Sequence, residues 1–228
     1  MNDRNKELAS REGIFSAIRD AAPTAKADVD TIQQEALAIL EDSIDARPSL
    51  LADEAADAMV KRIEKGLVIG TSCQRIESLD ELPGAVNTFL DQYGLDKALQ
   101  VQKAPHLQDL NWQGMTTDVD IKNDNSVGLC WAEHGIAETG SFVVYSSPEM
   151  PVLLNFLPLY LIAVVPRSKI LHYMDDYALI ANALAAKGET PRNLCLISGV
   201  SGTTDIEGVL VQGAHGPEVL NLFIVENL

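Results

Sequence analysis

Two apolar runs, "LIAVV" at 161–165 and "NLFIV" at 221–225, constrain this chain more than any other feature in it. Successive side chains of a strand point to opposite sides, so a strand with one wet face alternates apolar and polar residues. A run that stays apolar leaves no face for water and belongs in a sheet covered on both sides. Around these runs, short β-rich stretches alternate with helical ones, the pattern of an α/β domain whose mixed, largely parallel sheet is flanked by helices. Length permits it: a chain of 228 residues buries about 70–75% of its unfolded surface, so the core needs no disulfide or metal.

The expected strands are "LVIGTS", "ALQVQ", "SVGLCWA", "SFVVYSS", "YLIAVVP", "KILHYM", "NLCLISG" and "VLNLFIVEN". The expected helices of this domain, 66–228, are "DELPGAVNTFLDQYG" and "MDDYALIANALAAKG", with a long polar loop at 102–126. Residues 1–65 read differently, as a helical extension packing on the core. "SREGIFSAIRDA" starts after a Ser10 N-cap, "VDTIQQEALAILEDSI" follows, and "RPSLLADEAADAMVKRIEKG" ends at Gly66.

Charge excludes some partners. Lys and Arg number 17 against 33 Asp and Glu, a net −16, so no basic stripe is available for nucleic acid or an anionic membrane surface. The N-terminus mixes both charges without an apolar signal region, and no run approaches the roughly 18 apolar residues of a membrane span. A cytoplasmic protein is expected. Cys73, Cys130 and Cys195 are odd in number and set in apolar runs, which suits reduced, packed thiols. They fall short of the four thiolates of an iron–sulfur cluster, and no nucleotide or flavin fingerprint is present, so no cofactor is expected.

Two constellations carry chemistry. In "LISGVSGTTDIEGVLVQGAHGPEV" a strand runs into a glycine-rich turn, the kind of place where α/β sheets bind ligands. Gly199, Ser201, Gly202, Thr203 and Thr204 offer amides and hydroxyls to an anion, and Gly213 and Gly216 let the backbone approach a ligand closely. Thr204 and Glu207 have the spacing of a capping box, in which case Asp205 and Glu207 start a helix and need no ligand. His215, between glycines, is a candidate proton donor or acceptor, and Asp205 and Glu207 are candidate catalytic carboxylates.

The second constellation is "AEHGIAETGSFVVYS". His134 and Glu138 would share a helix face and tempt a metal reading, but Gly135 and the β-rich flanks favour strand and turn. Glu138 then stands in a sharp turn as a candidate base or nucleophile, with Thr139 and Gly140 as ligand-binding neighbours. Between Ala104 and Pro166 there are seven acidic residues and one basic residue, Lys122, a setting that raises a carboxylate's pKa where the groups converge. The two glycine-rich turns are expected to meet in one pocket.

Together, "IAETGS", "LPLYLIAVV", "SGVSGTTDIEGVLVQGAHGPEVLNLFIVEN" and "SREGIFSAIRDA" resemble the lactate utilisation protein C family, the LUD domain proteins. The resemblance implies a fold like that of the ribose phosphate isomerase, methenyltetrahydrofolate synthetase and coenzyme A transferase group. It also implies an accessory subunit in a system oxidising lactate to pyruvate with iron–sulfur partner proteins, and a small anionic or hydroxy-acid ligand. Many members have a basic residue where this chain has Gly202, a proline where it has Val200, and a histidine near Tyr160 and Leu161. An anion would then rely on backbone amides, Arg167 or Arg192. Two other expectations stay open: an independent isomerase-like or transferase-like enzyme using Glu138 on a sugar phosphate or acyl-thioester, and a non-catalytic assembly subunit.

Overall fold

The computed structural model describes residues 3–22, 28–41, 54–66, 70–120, 126–204, 208 and 210–228. The chain divides into two compact units, Met1–Arg47 and Pro48–Leu228. The first holds helices α1 (Asp3–Ala21) and α2 (Val29–Glu41). Ser10 lies inside α1 and is not its cap, because "DRNKELA" contains no helix breaker and the helix runs back through it. Asp28 caps α2: its carboxylate accepts hydrogen bonds from the Thr31 amide at 2.9 Å and the Thr31 hydroxyl at 2.7 Å. Those bonds, the hydroxyl's first, hold Asp28 below the usual carboxylate range.

The second unit opens with α3 (Ala55–Glu64) and is built on a six-stranded, all-parallel sheet. Its strands are β1 (Thr71–Ser78), β2 (Ala98–Val101), β3 (Thr116–Asp118), β4 (Val127–Trp131), β7 (Tyr160–Pro166) and β12 (Val219–Asn227), in the order β1-β12-β7-β4-β2-β3. A smaller mixed sheet of β8 (Ile170–Leu171), β5 (His134–Ile136), β6 (Ser141–Tyr145) and β9 (Leu194–Ile197) packs with it. A hairpin of β10 (Gly202–Thr204) and β11 (Leu210–Gln212) completes the strands. The helices are α4 (Leu82–Tyr93), α5 (Pro105–Gln108) and α6 (Met174–Lys187).

The two apolar runs are neighbouring central strands, with Leu220 opposite Leu161 and Ile224 opposite Val165. Their side chains divide by parity. Ile162, Val164, Phe223 and Val225 pack with Leu82, Val86, Phe89 and Leu90 of α4 and Leu107 of α5. Leu161, Ala163, Val165, Leu220, Leu222 and Ile224 pack instead with Phe142 and Val144 of β6 and Met59 of α3. One face of the parallel sheet is therefore covered by helices, the other by the small sheet and α3. Ile136, Val143 and Tyr177 join the outer face of the small sheet to α6.

Local expectations shift at short elements. The first strand is expected at 67–72; residues 67–69 lie outside the described residues, and the ladder runs from Thr71 to Ser78, where Cys73 and Ile76 alternate to opposite faces. The polar loop holds α5 and β3. Thr204, expected as a helix N-cap, pairs with Leu210 in the hairpin, where β-branched Thr203 and Thr204 suit a strand. Asp205 and Glu207 lie outside the described residues.

In a parallel sheet all amino ends share one edge, and Thr71, Leu220, Leu161 and Gly128 stand in register there. Gly70 enters this edge at φ +100°, and a Cβ at that position would stand 2.6 Å from the Glu218 carbonyl oxygen. Gly94, the α4 terminator, has φ +64° but open space around it. Gly94→Ala should lower stability by about 1 kcal/mol, the left-handed backbone penalty alone. Gly70→Ala should lower it by more than about 2 kcal/mol, since strain and backbone displacement combine. Urea unfolding of both variants checks this, and equal losses would contradict it.

Candidate functional site

The helix α3 is fixed at both ends. At its start, Asp57 pairs with Arg75 of β1, Arg75 with Glu226 of β12, and Arg167 with both Glu54 and Glu226. The Arg75 guanidinium is the main reason the Glu226 carboxyl lies below its ordinary range. Along its length, Met59 is fully buried against β5. Its last turn arrives at Gly140, where a Cβ would meet Ile63 Cγ1 at 3.1 Å and Arg62 Cγ at 3.3 Å. Gly140 has φ +68°, so the turn before β6 and the close approach of α3 both call for glycine there.

A cavity of about 300 Å³ opens at this junction, lined by Arg62, Lys65, Thr71, Thr139, Ser198 and Gly199 among others. Its walls come from the end of α3, the start of β1, the "ETG" turn and the end of β9. Arg62 and Lys65 form no ion pair among the described residues, so within those residues the cavity carries two unpaired cations in a chain of net charge −16. Gly199, at φ +113°, turns the chain sharply after Ser198. A larger cleft of about 890 Å³ beside the start of α4 is lined by Asp80, Glu81 and Asp109 without a lysine or arginine, a lining that repels anions.

Thr139, Gly140 and Gly199 thus meet in one cavity, and Glu138 and His215 are not among its lining residues. The Glu138 amide donates to the His172 carbonyl and its carboxylate accepts from the Met174 amide at 2.9 Å, at the first turn of α6. His215 is exposed in the turn after β11. Ser201 donates its amide to Pro217 and accepts from Gly213 at 3.0 Å, while a Cβ on Gly216 would stand 3.0 Å from that of Ser201. Gly202, Thr203 and Thr204 are exposed in the hairpin. The glycine loop abuts the amino edge of the parallel sheet: the Val200 amide donates to Thr71 Oγ1 at 3.2 Å. Of the amides expected to cradle an anion, that of Ser201 is therefore bonded to the protein.

The expected cations are also elsewhere. Arg167 is paired as above, and Arg192 lines a separate cleft with Ser146 and Asn193. Arg62 and Lys65 are the cations that line the cavity. In sequence they look like the basic last turn that favours any helix C-terminus, and nothing local announces a ligand.

The thiols are set by burial, which pushes Cys73 and Cys130 up to about 12 and raises Cys195 as well. A thiol with that value is about 10⁻⁴ thiolate at pH 8. Iodoacetamide should therefore modify Cys195 of the native protein well before the other two, and equal rates by mass spectrometry would contradict this. Glu138→Ala should lower stability by about 0.5–2 kcal/mol through the lost contact with α6, and Glu138→Gln, which keeps an acceptor, by less. Thermal unfolding compares the two.

Comparison with known proteins agrees with this fold and adds a lineage. The LUD domain family matches residues 26–225. A Lactate utilization protein C of Shouchella clausii is 26% identical across 74% of this chain and 79% of the relative. One of Halalkalibacterium halodurans is 30% identical across 60% of this chain and 59% of the relative. The uncharacterized protein YkgG of Escherichia coli is 36% identical across 44% of each. The crystal structure of a DUF162 family protein from Deinococcus radiodurans superposes with a TM-score of 0.55 at 21% identity, covering 78% of this chain and 99% of that one. With the family matching most of its length, this chain belongs to the LUD domain family.

Proposed function

We propose that this chain is a cytoplasmic accessory component of an L-lactate utilisation system, oxidising lactate to pyruvate together with iron–sulfur partner proteins, and that the cavity at the end of α3 holds a small anion of that system. The observation behind this reading is the pair of cations, Arg62 and Lys65, that line the cavity beside the "ETG" turn of a LUD domain and form no ion pair among the described residues. Relatives named Lactate utilization protein C support the choice of substrate. Lactate and pyruvate are both small monoanions, and a cavity of about 300 Å³ suits such ligands. Among the described residues no helix is long and apolar enough to cross a membrane.

The chain's own residues bind and orient. Arg62 offers a planar fork that matches a carboxylate, and Lys65 adds a point charge. Oxidation of lactate removes two electrons. The chain's three cysteines are too few for the four thiolates that hold a cluster, so the electrons pass through the partners.

A second reading has its own observation: the amides of Val200, Ser201 and Gly213 are taken up by protein acceptors, which makes the glycine loops structural and suits an assembly subunit. One experiment separates the two. The chain is combined with its iron–sulfur partners and lactate-dependent acceptor reduction is measured with wild type, without the chain, and with Arg62→Glu/Lys65→Glu. The proposed function predicts a loss of about 10-fold to 100-fold in the double variant while the complex stays assembled. A full rate in the double variant, with a complex that falls apart when the chain is omitted, favours the assembly subunit. A full rate without the chain contradicts both.

A further inference from the structure

The small sheet ends on β9, and that edge is open. Its strand order is β8-β5-β6-β9, with β9 antiparallel to β6. The Ser146 amide donates to the Asn193 carbonyl, so by strand alternation Cys195 and Ile197 also turn their backbone groups toward β6. Leu194 and Leu196 turn theirs away, and those amides and carbonyls have no partner among the described residues. The Leu196 side chain is 43% exposed as well. An edge that presents free backbone groups beside an apolar side chain is a template for another strand.

The other edges of the two larger sheets are guarded. β8 and β3 are only two and three residues long. β1 is longer, but it carries Arg75 and Glu77, and the Glu77 amide donates to the Glu81 carboxylate at 3.1 Å. β9 has none of these protections, since "LCLI" holds no charge. From Lys187 to Thr204 there are two basic residues, Lys187 and Arg192, and one acidic residue, Glu189. In a chain of net −16 this stretch is nearly neutral, so two copies meet here without the repulsion that an acidic surface imposes. Helix α6, which lies with Leu194 on the outer side of the small sheet, adds no charge from Tyr177 to Ala186.

We infer that β9 is a homodimer interface, in which the edge strands of two copies pair antiparallel about a two-fold axis and join the two small sheets into one. Outward groups must meet outward groups, which sets Leu194 of one copy opposite Leu196 of the other. Each such pair exchanges both its N–H···O bonds, and both outward residues of each strand are engaged. The register lays the exposed Leu196 beside an apolar Leu194 and sets Arg192 opposite Ser198, so no like charges meet. Cys195 then falls on the axis, opposite its own copy in a non-hydrogen-bonded pair with Cα atoms about 4.5 Å apart. The contact is isologous and closes at two copies.

This inference does not depend on the lactate reading. The full chain is sized by sedimentation velocity over a concentration series, as wild type, Leu196→Lys and Ile14→Lys. Ile14 is 59% exposed on α1, in the other compact unit. Both substituted side chains start exposed, so circular dichroism should match the wild type. Wild type and Ile14→Lys should form the same dimer, whereas Leu196→Lys should weaken it by about 10-fold or more, because a charge is set among apolar groups. A short bismaleimide tests the register on the wild-type chain: mass spectrometry should find two copies linked from Cys195 to Cys195, and Leu196→Lys should lose the link. Should Leu196→Lys fail to fold, the wild-type link decides. A monomer at every concentration overturns the inference and leaves the edge to a strand from another protein. A dimer undisturbed by Leu196→Lys, one abolished by Ile14→Lys, or one without the Cys195 link overturns it equally.

Discussion

The packing of Met59 against Gly135 fixes the geometry on which the rest of the site depends. A Cβ at 135 would stand 2.9 Å from Met59 Sδ and 3.1 Å from Ile170 Cγ1, so α3 lies on β5 at a distance only glycine permits. Met59 is fully buried there, and deletion of such a side chain typically costs about 2–5 kcal/mol. The charge cluster of Glu54, Asp57, Arg75, Arg167 and Glu226 orients the same helix from its other end. These pairs are largely exposed and each contributes little on its own. Their shared effect is direction: with α3 held at its start and middle, its last turn reaches the "ETG" turn and closes the cavity.

The fold was legible where physics is local. Apolar runs with no wet face gave β7 and β12, and helical periodicity gave α4 and α6 with their glycine ends. The family was legible too, through "AETGS" and "TTDIE" in order and spacing. Elements of two to four residues, β3, β5, β8, β10, β11 and α5, were mostly missed or blurred, since so short a segment shows no period. The helix start expected at Asp205 and Glu207 falls outside the described residues, and Thr204 before it is a strand residue paired with Leu210.

The site was legible only in part. Thr139, Gly140 and Gly199 stand in the cavity because glycine-rich turns are readable as backbone that bends sharply. Arg62, Lys65 and Ser198 were not readable. Arg62 and Lys65 look like an ordinary helix end, and Ser198 joins Ser141 across 57 residues of sequence. Glu138 and His215 drew attention as chemistry-bearing types in flexible surroundings. In the structure the Glu138 carboxylate is bonded to the start of α6 and His215 is exposed, so residue type alone did not decide their place.

The central claim is that the cations of α3 and the hydroxyls of Thr139 and Ser198 face the same small anion. A crystal structure of the chain grown with L-lactate tests it most directly. The account predicts lactate density between Arg62 and Ser198, its carboxylate on the Arg62 and Lys65 side and its hydroxyl within hydrogen-bond distance of Thr139 or Ser198. Lactate bound in the acidic cleft beside α4, or on the glycine loop near His215 with the α3 cavity empty, would contradict it.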